Sequence, residues 1–472
     1  MNKKRACLLA GIVVGLLVGF ALPVPAELAT AAAAMGTTGR LAMVFLGSVV
    51  WAVFCWIGQV ASDWLIAMGM LVIWTVTGCC SLNVAFSQFA GSTVWLIFGA
   101  FGIAAAVMKT GVLKRLALML MKLFPPTFSS QLLAMMTVGT IISPLLPSTT
   151  AKGVLGANMA VASSEAMQYK PYEKGPAGLF MASWVGFSLT APAFLSASVV
   201  NYVLKAALPA AVQPSVTWGS WLVAMLPWLA MVFVGMFFIL KRLYRPQSGG
   251  NLTKDALNAQ LTALGPWSKQ EIQSTVILFA CLVLWILERP LGLSSAATAL
   301  IGGGLCFGLG ILEPKDLGTR INWSMVLFIG CVVQMGNMFT QMGVSAWLQV
   351  LLAPVFSSFT NVFALTVVLV LLVIASRFLI ASQTACIMLF LAIVTPVTTA
   401  LGMNPFVLGL IVYTAVQVWY VPYQNSVFAP ALGAAEGWVR HKDTIKSCLC
   451  YCLLSLAACL ASIPYWSLLG YL

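Results

Sequence analysis

The sequence predicts an all-α polytopic membrane protein, on three observations. Of its 472 residues, 61% are hydrophobic and only 7% are charged, against about 25% charged in soluble domains. Mean hydropathy is +1.00. Apolar windows long enough to cross a bilayer, about 20 residues each, recur along almost the whole chain. So few charges cannot coat a soluble particle of 50.3 kDa, which excludes soluble enzymes, secreted disulfide scaffolds and nucleic-acid binders. The net charge of +13 reflects the Lys and Arg that membrane proteins keep in cytoplasmic loops. Cys79 and Cys80 are adjacent, and Cys448, Cys450 and Cys452 alternate within an apolar run. Neither arrangement has metal or disulfide spacing.

The elements follow in order. A window near 6–26 follows Lys3-Lys4-Arg5 and, with so many spans behind it, reads as a retained helix rather than a signal peptide. It makes 1–38 an N-terminal helical segment. Windows near 39–57, 60–79, 94–121, 178–203 and 219–241 form a first repeat over 39–241, with a Pro-, Ser- and Thr-interrupted apolar segment at 129–166. Residues 242–271 are polar and carry Arg242, Arg245, Lys254 and Lys269, a cytoplasmic linker. Windows near 272–288, 294–312, 322–352, 402–420 and 446–470 form a second repeat over 272–472, again with an interrupted segment, at 357–399. The total is about 11 transmembrane helices plus two interrupted segments. Two apolar halves around a polar linker are a transporter layout. Gly99 with Gly102, and Gly302-Gly-Gly304, mark close helix contacts.

Charge orients the chain. Lys3-Lys4-Arg5 is placed in the cytoplasm, and each interrupted segment enters and leaves on one side. Lys109, Lys114, Arg115, Lys122, Lys170, Lys174, the linker, Lys315, Arg320, Arg440, Lys442 and Lys446 then fall inside, and only Arg40, Lys205 and Arg289 outside. Treating either interrupted segment as a full span reverses the bias downstream, so both read as re-entrant hairpins. The N-terminus is then cytoplasmic and the C-terminus lies outside a cell (inner) membrane. The halves also resemble each other. Gly111-Val112 and Leu116 recur as Gly343-Val344 and Leu348, and Ser148-Thr-Thr150-Ala151 recurs as Ser382-Gln-Thr384-Ala385. One hairpin enters from each side, so the repeat is inverted.

Irregular backbone at membrane depth is tolerated only where protein or a water-filled cavity satisfies it. The tips Pro147-Ser-Thr-Thr-Ala151 and Ala381-Ser-Gln-Thr-Ala385 fit that description. A helix resuming after each tip aims free N–H groups and its positive dipole end at the tip, an anion site. Ser148, Thr149, Thr150, Ser382, Gln383 and Thr384 add neutral donors, suited to a carrier that must also release its cargo. At one tip these residues read as helix caps; at two repeat-related tips they read as a binding site. The spans after the hairpins are interrupted at Pro192-Ala-Phe-Leu-Ser196-Ala-Ser198 and Tyr420-Val-Pro422-Tyr-Gln424. Their carbonyls either coordinate a hard cation such as Na⁺ or only shape packing. Asp63 and the other acids considered fall at span ends or in loops, so no intramembrane proton relay is visible. Lys152 and Arg377 lie in or beside the hairpins. Arg377 either raises the local potential for an anion or snorkels to the outer surface.

At these tips the chain resembles the divalent anion:sodium symporters, or anion permeases, and among them the citrate, tartrate and 2-oxoglutarate/malate carriers. Ile142-Ser-Pro-Leu-Leu-Pro-Ser-Thr-Thr-Ala-Lys152 resembles that family's first hairpin, whose tip usually reads Ser-Asn-Thr. Val94-Trp-Leu-Ile-Phe-Gly-Ala100 with Lys109-Thr-Gly111 resembles its fourth span, and Leu264-Gly-Pro-Trp-Ser268 its linker. The resemblance implies a homodimer with a scaffold domain and a mobile transport domain, carrying di- or tricarboxylates by an elevator-like movement. It implies substrate contacts from Ser148, Thr149, Thr150, Ser198, Ser382, Gln383 and Thr384. It also implies two Na⁺ sites around Ser148, Thr149, Ala197, Ala381, Gln383 and Val421, with no other cofactor. Thr149 and Gln383 depart from the family's Asn, which weakens both cation sites and tilts the expectation from Na⁺ symport towards exchange. The expected partners are a small organic anion, the bilayer and a second copy of the chain. A passive anion channel, or a carrier of a different small anion, is the alternative; an enzyme is not expected.

Overall fold

The computed structural model describes residues 3–209, 211–246, 254–357, 361–400 and 402–472. Residues 247–253 of the expected linker and 358–360 of the second expected hairpin lie outside them. All the regular structure among the described residues is helical. In chain order the main helices are α1 (Lys3–Leu16), α2 (Ala26–Ala34), α3 (Gly39–Gly58), α4 (Asp63–Val76), α5 (Ser92–Thr110) and α6 (Val112–Met121). Then come α7 (Phe128–Ile142), α8 (Thr149–Ala166), α9 (Lys174–Trp184), α10 (Val199–Ala207) and α11 (Trp218–Leu243). The second half comprises α12 (Lys254–Ala263), α13 (Lys269–Ile286), α14 (Ser295–Gly308), α15 (Trp323–Gln341) and α16 (Val344–Ser357). It closes with α17 (Val362–Ser376), α18 (Gln383–Ala400), α19 (Pro405–Ala415), α20 (Phe428–Ala434) and α21 (His441–Leu468).

Among the described residues, eight helical segments are long and apolar enough to cross a membrane, and five shorter apolar helices accompany them. The protein is therefore polytopic. Several expected spans are not continuous helices. The window 94–121 breaks at Gly111 and the window 322–352 at Gly343, with φ of 77° and 72°. That left-handed backbone is favourable only for glycine, and it ends α5 and α15 at corresponding points. The window 178–203 unwinds between α9 and α10 through a π turn and two 3₁₀ turns. Pro192 withdraws a backbone donor there. The window 402–420 gives way after α19 to irregular backbone and a 3₁₀ turn at Pro422–Gln424.

Two groups of packed helices emerge. In one, α3 packs against α1, α2 and α4; α15 packs on α4; and α5 packs on α13 and α14. The α5–α14 crossing is close because Gly99 lies against Ala299, where a Cβ would sit 2.4 Å from a backbone carbon, while Gly102 faces Gly303. Gly304 faces open space. In the other group, α8 packs on α9 and α20, α7 on α9, and α21 on α11, α17 and α19. The linker is anchored to the first half. Arg115 Nε donates to Glu271 Oε1 at 2.9 Å and its Nη1 to the Gly265 carbonyl at 2.8 Å. The Trp267 ring lies 5.0 Å from the guanidinium.

Candidate functional site

Both interrupted segments fold as helix–tip–helix units, α7 to α8 and α17 to α18. In the first, a 3₁₀ turn at Ser143–Leu145 and extended backbone at Leu146 separate the helices. Ser148 then caps α8, its Oγ accepting from the Ala151 N–H at 3.4 Å. In the second, Ser382 Oγ accepts from the Ala385 N–H at 3.3 Å at the start of α18. Ser198 caps α10 in the same way through the Val200 N–H at 3.2 Å.

These three helix starts converge on one cavity of about 330 Å³. All seven residues expected to contact substrate line it: Ser148, Thr149, Thr150, Ser198, Ser382, Gln383 and Thr384. Two further helix starts reach it. Asn322, whose side chain caps α15 through the Met325 N–H at 3.2 Å, lines the cavity, as do Ser62 and Asp63 at the start of α4. Five N-terminal ends around one polar cavity make a positive electrostatic environment without mobile charge. A larger cavity of about 430 Å³, against Lys205, Glu288 and Arg289, holds none of the expected site residues.

The residues expected to form cation sites divide. Ser148, Thr149, Ala381 and Gln383 line the cavity, while Ala197 lies fully buried behind it. Val421 is turned into its own loop, its carbonyl accepting from the Gln424 N–H at 3.0 Å. The Gln383 amide reaches Gln417 Oε1 at 3.4 Å.

The carbonyls of Ala197 and Ala381 already have basic side chains as partners. Lys152 is fully buried, and its Nζ donates to the Ser143 carbonyl at 2.8 Å, Ser143 Oγ at 3.0 Å and the Ala197 carbonyl at 2.7 Å. Three acceptors match the three donors of an ammonium group. Arg377 is also fully buried. Its guanidinium donates to the Ala381 carbonyl at 2.9 Å and to the carbonyls of Ile380 and Gln424. It does not snorkel to the surface. Each basic side chain therefore ties a hairpin tip to the unwound part of the span that follows, and neither forms an ion pair among the described residues. Both were visible in the sequence as charges in apolar segments; their oxygen partners were not, because Ala197 and Gln424 lie 45 and 47 residues further along.

Asp63 was missed as a site residue. Its position at a span start signals a helix-terminal acid, yet it lines the cavity and its Oδ2 accepts from Ser382 Oγ at 2.7 Å. The cavity also includes Tyr423, whose ring lies 5.9 Å from Lys3 Nζ, so its mouth shares the face of the molecule that bears the N-terminus.

A family model described as the sodium:sulfate symporter transmembrane region matches residues 2–472. The chain belongs to that family. It lies near the citrate, tartrate and malate carriers. A putative malate transporter, YflS of Bacillus subtilis, is 26% identical over 73% of this chain and 71% of its own length. The chloroplastic dicarboxylate transporter 2 of Spinacia oleracea is 26% identical over 74% of this chain, and the match spans 61% of that protein. The L-tartrate/succinate antiporter of Escherichia coli K12 is 26% identical over 65% of this chain and 64% of its own length. The family and these relatives are transporters, not enzymes. The fold is shared with the YdaH transporter of Alcanivorax borkumensis, at TM-score 0.56 and 16% identity over 82% of this chain and 88% of that one. It is shared equally with MtrF of Neisseria gonorrhoeae, at TM-score 0.54 and 14% identity over 96% and 97% of the two chains.

Proposed function

We propose that the protein is a secondary carrier that exchanges one di- or tricarboxylate for another across the cell membrane. The neutral hydroxyls of both tips and the five helix starts bind the anion. The relatives named for malate, dicarboxylate and tartrate/succinate transport support the substrate class.

The observation that carries the exchange reading is the pair of buried basic side chains, Lys152 and Arg377. In a Na⁺ symporter the cations arrive and leave with the substrate, so the empty site returns without excess charge. Here the carbonyls of Ala197 and Ala381 accept from the side chains of Lys152 and Arg377, which puts a fixed basic group where a mobile cation would otherwise bind. With both groups protonated, a dianion neutralises the moving unit, whereas the empty unit, which does not include Asp63, carries two uncompensated charges. Moving unpaired charge through a low-dielectric barrier is costly. The empty carrier is therefore trapped until it rebinds an anion, which is the definition of exchange.

The same reading takes α7–α11 and α17–α21 as a mobile transport unit and the group around α3, α4, α5, α14 and α15 as a scaffold, in an elevator-like movement and a homodimer. The inverted repeat, the cytoplasmic N-terminus and the external C-terminus belong to it. Purified protein in liposomes preloaded with unlabelled succinate should accelerate uptake of labelled succinate, malate or tartrate. A passive channel gives no such acceleration, and its absence for every carboxylate tested would end the exchange reading.

A further inference from the structure

Asp63 is the one acidic side chain among the residues lining the cavity, in a site otherwise made of neutral donors and helix starts. A fixed carboxylate repels a dianionic substrate, so anion binding alone does not account for it. Its contact does. The Ser382 hydroxyl carries a single proton, and that proton is given to Asp63 Oδ2 at 2.7 Å. Asp63 begins α4, which packs on α3 and α15 rather than on the helices of either tip, and Ser382 belongs to the second tip. The bond thus joins the two packed groups across the cavity, at the face that bears the N-terminus.

We infer that Asp63 is a built-in competitor for the substrate carboxylate, which latches the empty second tip to the helical frame through Ser382. The inference rests on the carrier reading above. When a substrate carboxylate enters, it takes the Ser382 proton donor, Asp63 is released to water at the mouth, and the tip is free to move with its cargo. When the substrate leaves, Asp63 recaptures the hydroxyl. The latch adds a specific contact to the charge trap set by Lys152 and Arg377, and it acts only while the cavity is open on this side. An acid at the start of α4 also favours that helix through its dipole. Asp63→Asn keeps the side-chain size and removes the charge from both roles, but loss of the dipole contribution has no sidedness, so the face at which affinity changes separates the two.

The test is succinate counterflow in liposomes, with apparent affinity measured separately at each face for wild type, Asp63→Asn and Asp63→Ala, each at matched protein incorporation. The latch predicts a rise in affinity of about fivefold in Asp63→Asn, for loss of the charged acceptor, and a larger one in Asp63→Ala. The rise is confined to the face that bears the N-terminus. It also predicts that efflux from loaded vesicles into anion-free medium increases relative to exchange. Unchanged affinity, an equal rise at both faces, or weakened binding would overturn it. Asp63→Asn alone decides the matter if Asp63→Ala fails to insert. Wild-type protein without any counterflow would remove the carrier reading itself, and the latch with it.

Discussion

The exchange reading turns on two residues, Lys152 and Arg377. Each donates to backbone oxygens at the junction of tip and unwound span. Replacing either by Met leaves buried carbonyls unpaired, at about 1–3 kcal/mol each, and removes the charge that opposes the substrate. Exchange should fall by more than tenfold in Lys152→Met and in Arg377→Met, with protein still present in the membrane. Wild-type rates in both would contradict the fixed-cation account. The tip hydroxyls are a separate case. Thr150→Val and Thr384→Val keep shape and remove one donor each, so apparent affinity should weaken by about 10- to 100-fold per lost bond to a carboxylate. Equal affinities in wild type and both variants would remove these residues from the site. The residues of the tips were legible in the sequence because Pro, Ser and Thr have no reason to cluster in apolar segments other than broken helices. Asp63 was not legible. Its partner Ser382 is 319 residues away, and a span-start acid has an adequate local explanation.

At the scale of elements, helix breaks line the candidate site. Gly111 and Gly343, which stood out as a repeated pair in the sequence, share a left-handed backbone. The unwinding after α9 and after α19 brings Ser198 to the cavity and the carbonyls of Ala197 and Gln424 to the buried cations. Hydropathy alone could not reveal these breaks, because a window of apolar residues has the same composition whether its backbone is helical or not. Pro192 and Pro422 were the only local signs. Close packing was partly legible: Gly99, Gly102 and Gly303 do meet across α5 and α14, while Gly304 does not. A Leu at Gly99 must displace the α14 backbone, so Gly99→Leu should lower the thermal midpoint of the detergent-extracted protein by several degrees, an overpacking effect of about 1–3 kcal/mol. An unchanged midpoint would mean that the crossing is loose. In the short helix Pro314–Thr319 after α14, the Glu313 backbone N–H, Lys109 and Arg320 hold the Asp316 carboxyl well below the usual carboxylate range. Its folded pKa is depressed, so its stabilising contribution is full above the ordinary Asp value of about 4 and is lost as pH falls below it. Asp316→Asn should flatten the acid limb of the midpoint–pH curve. A curve of unchanged steepness would assign the acid sensitivity to other groups.

For the whole molecule, the membrane class followed from composition, and the approximate places of most helices from apolar windows, several of which the structure divides. The division into two packed groups was not readable, because it depends on contacts between helices far apart in the chain, such as α5 with α14 and α11 with α21. Orientation rests on the charge bias. In a cysteine-depleted background, Asn258→Cys in the linker helix should label only from the cytoplasm and Ser215→Cys, before α11, only from outside. The reverse pattern would invert the hairpin assignment. If the cations of this carrier are built into the chain, uptake into liposomes differs sharply between two internal conditions. With succinate inside and no Na⁺ on either side, labelled succinate should enter quickly. With no anion inside and a steep inward Na⁺ gradient, it should not accumulate. Concentrative uptake into anion-free vesicles driven by the Na⁺ gradient would contradict the account.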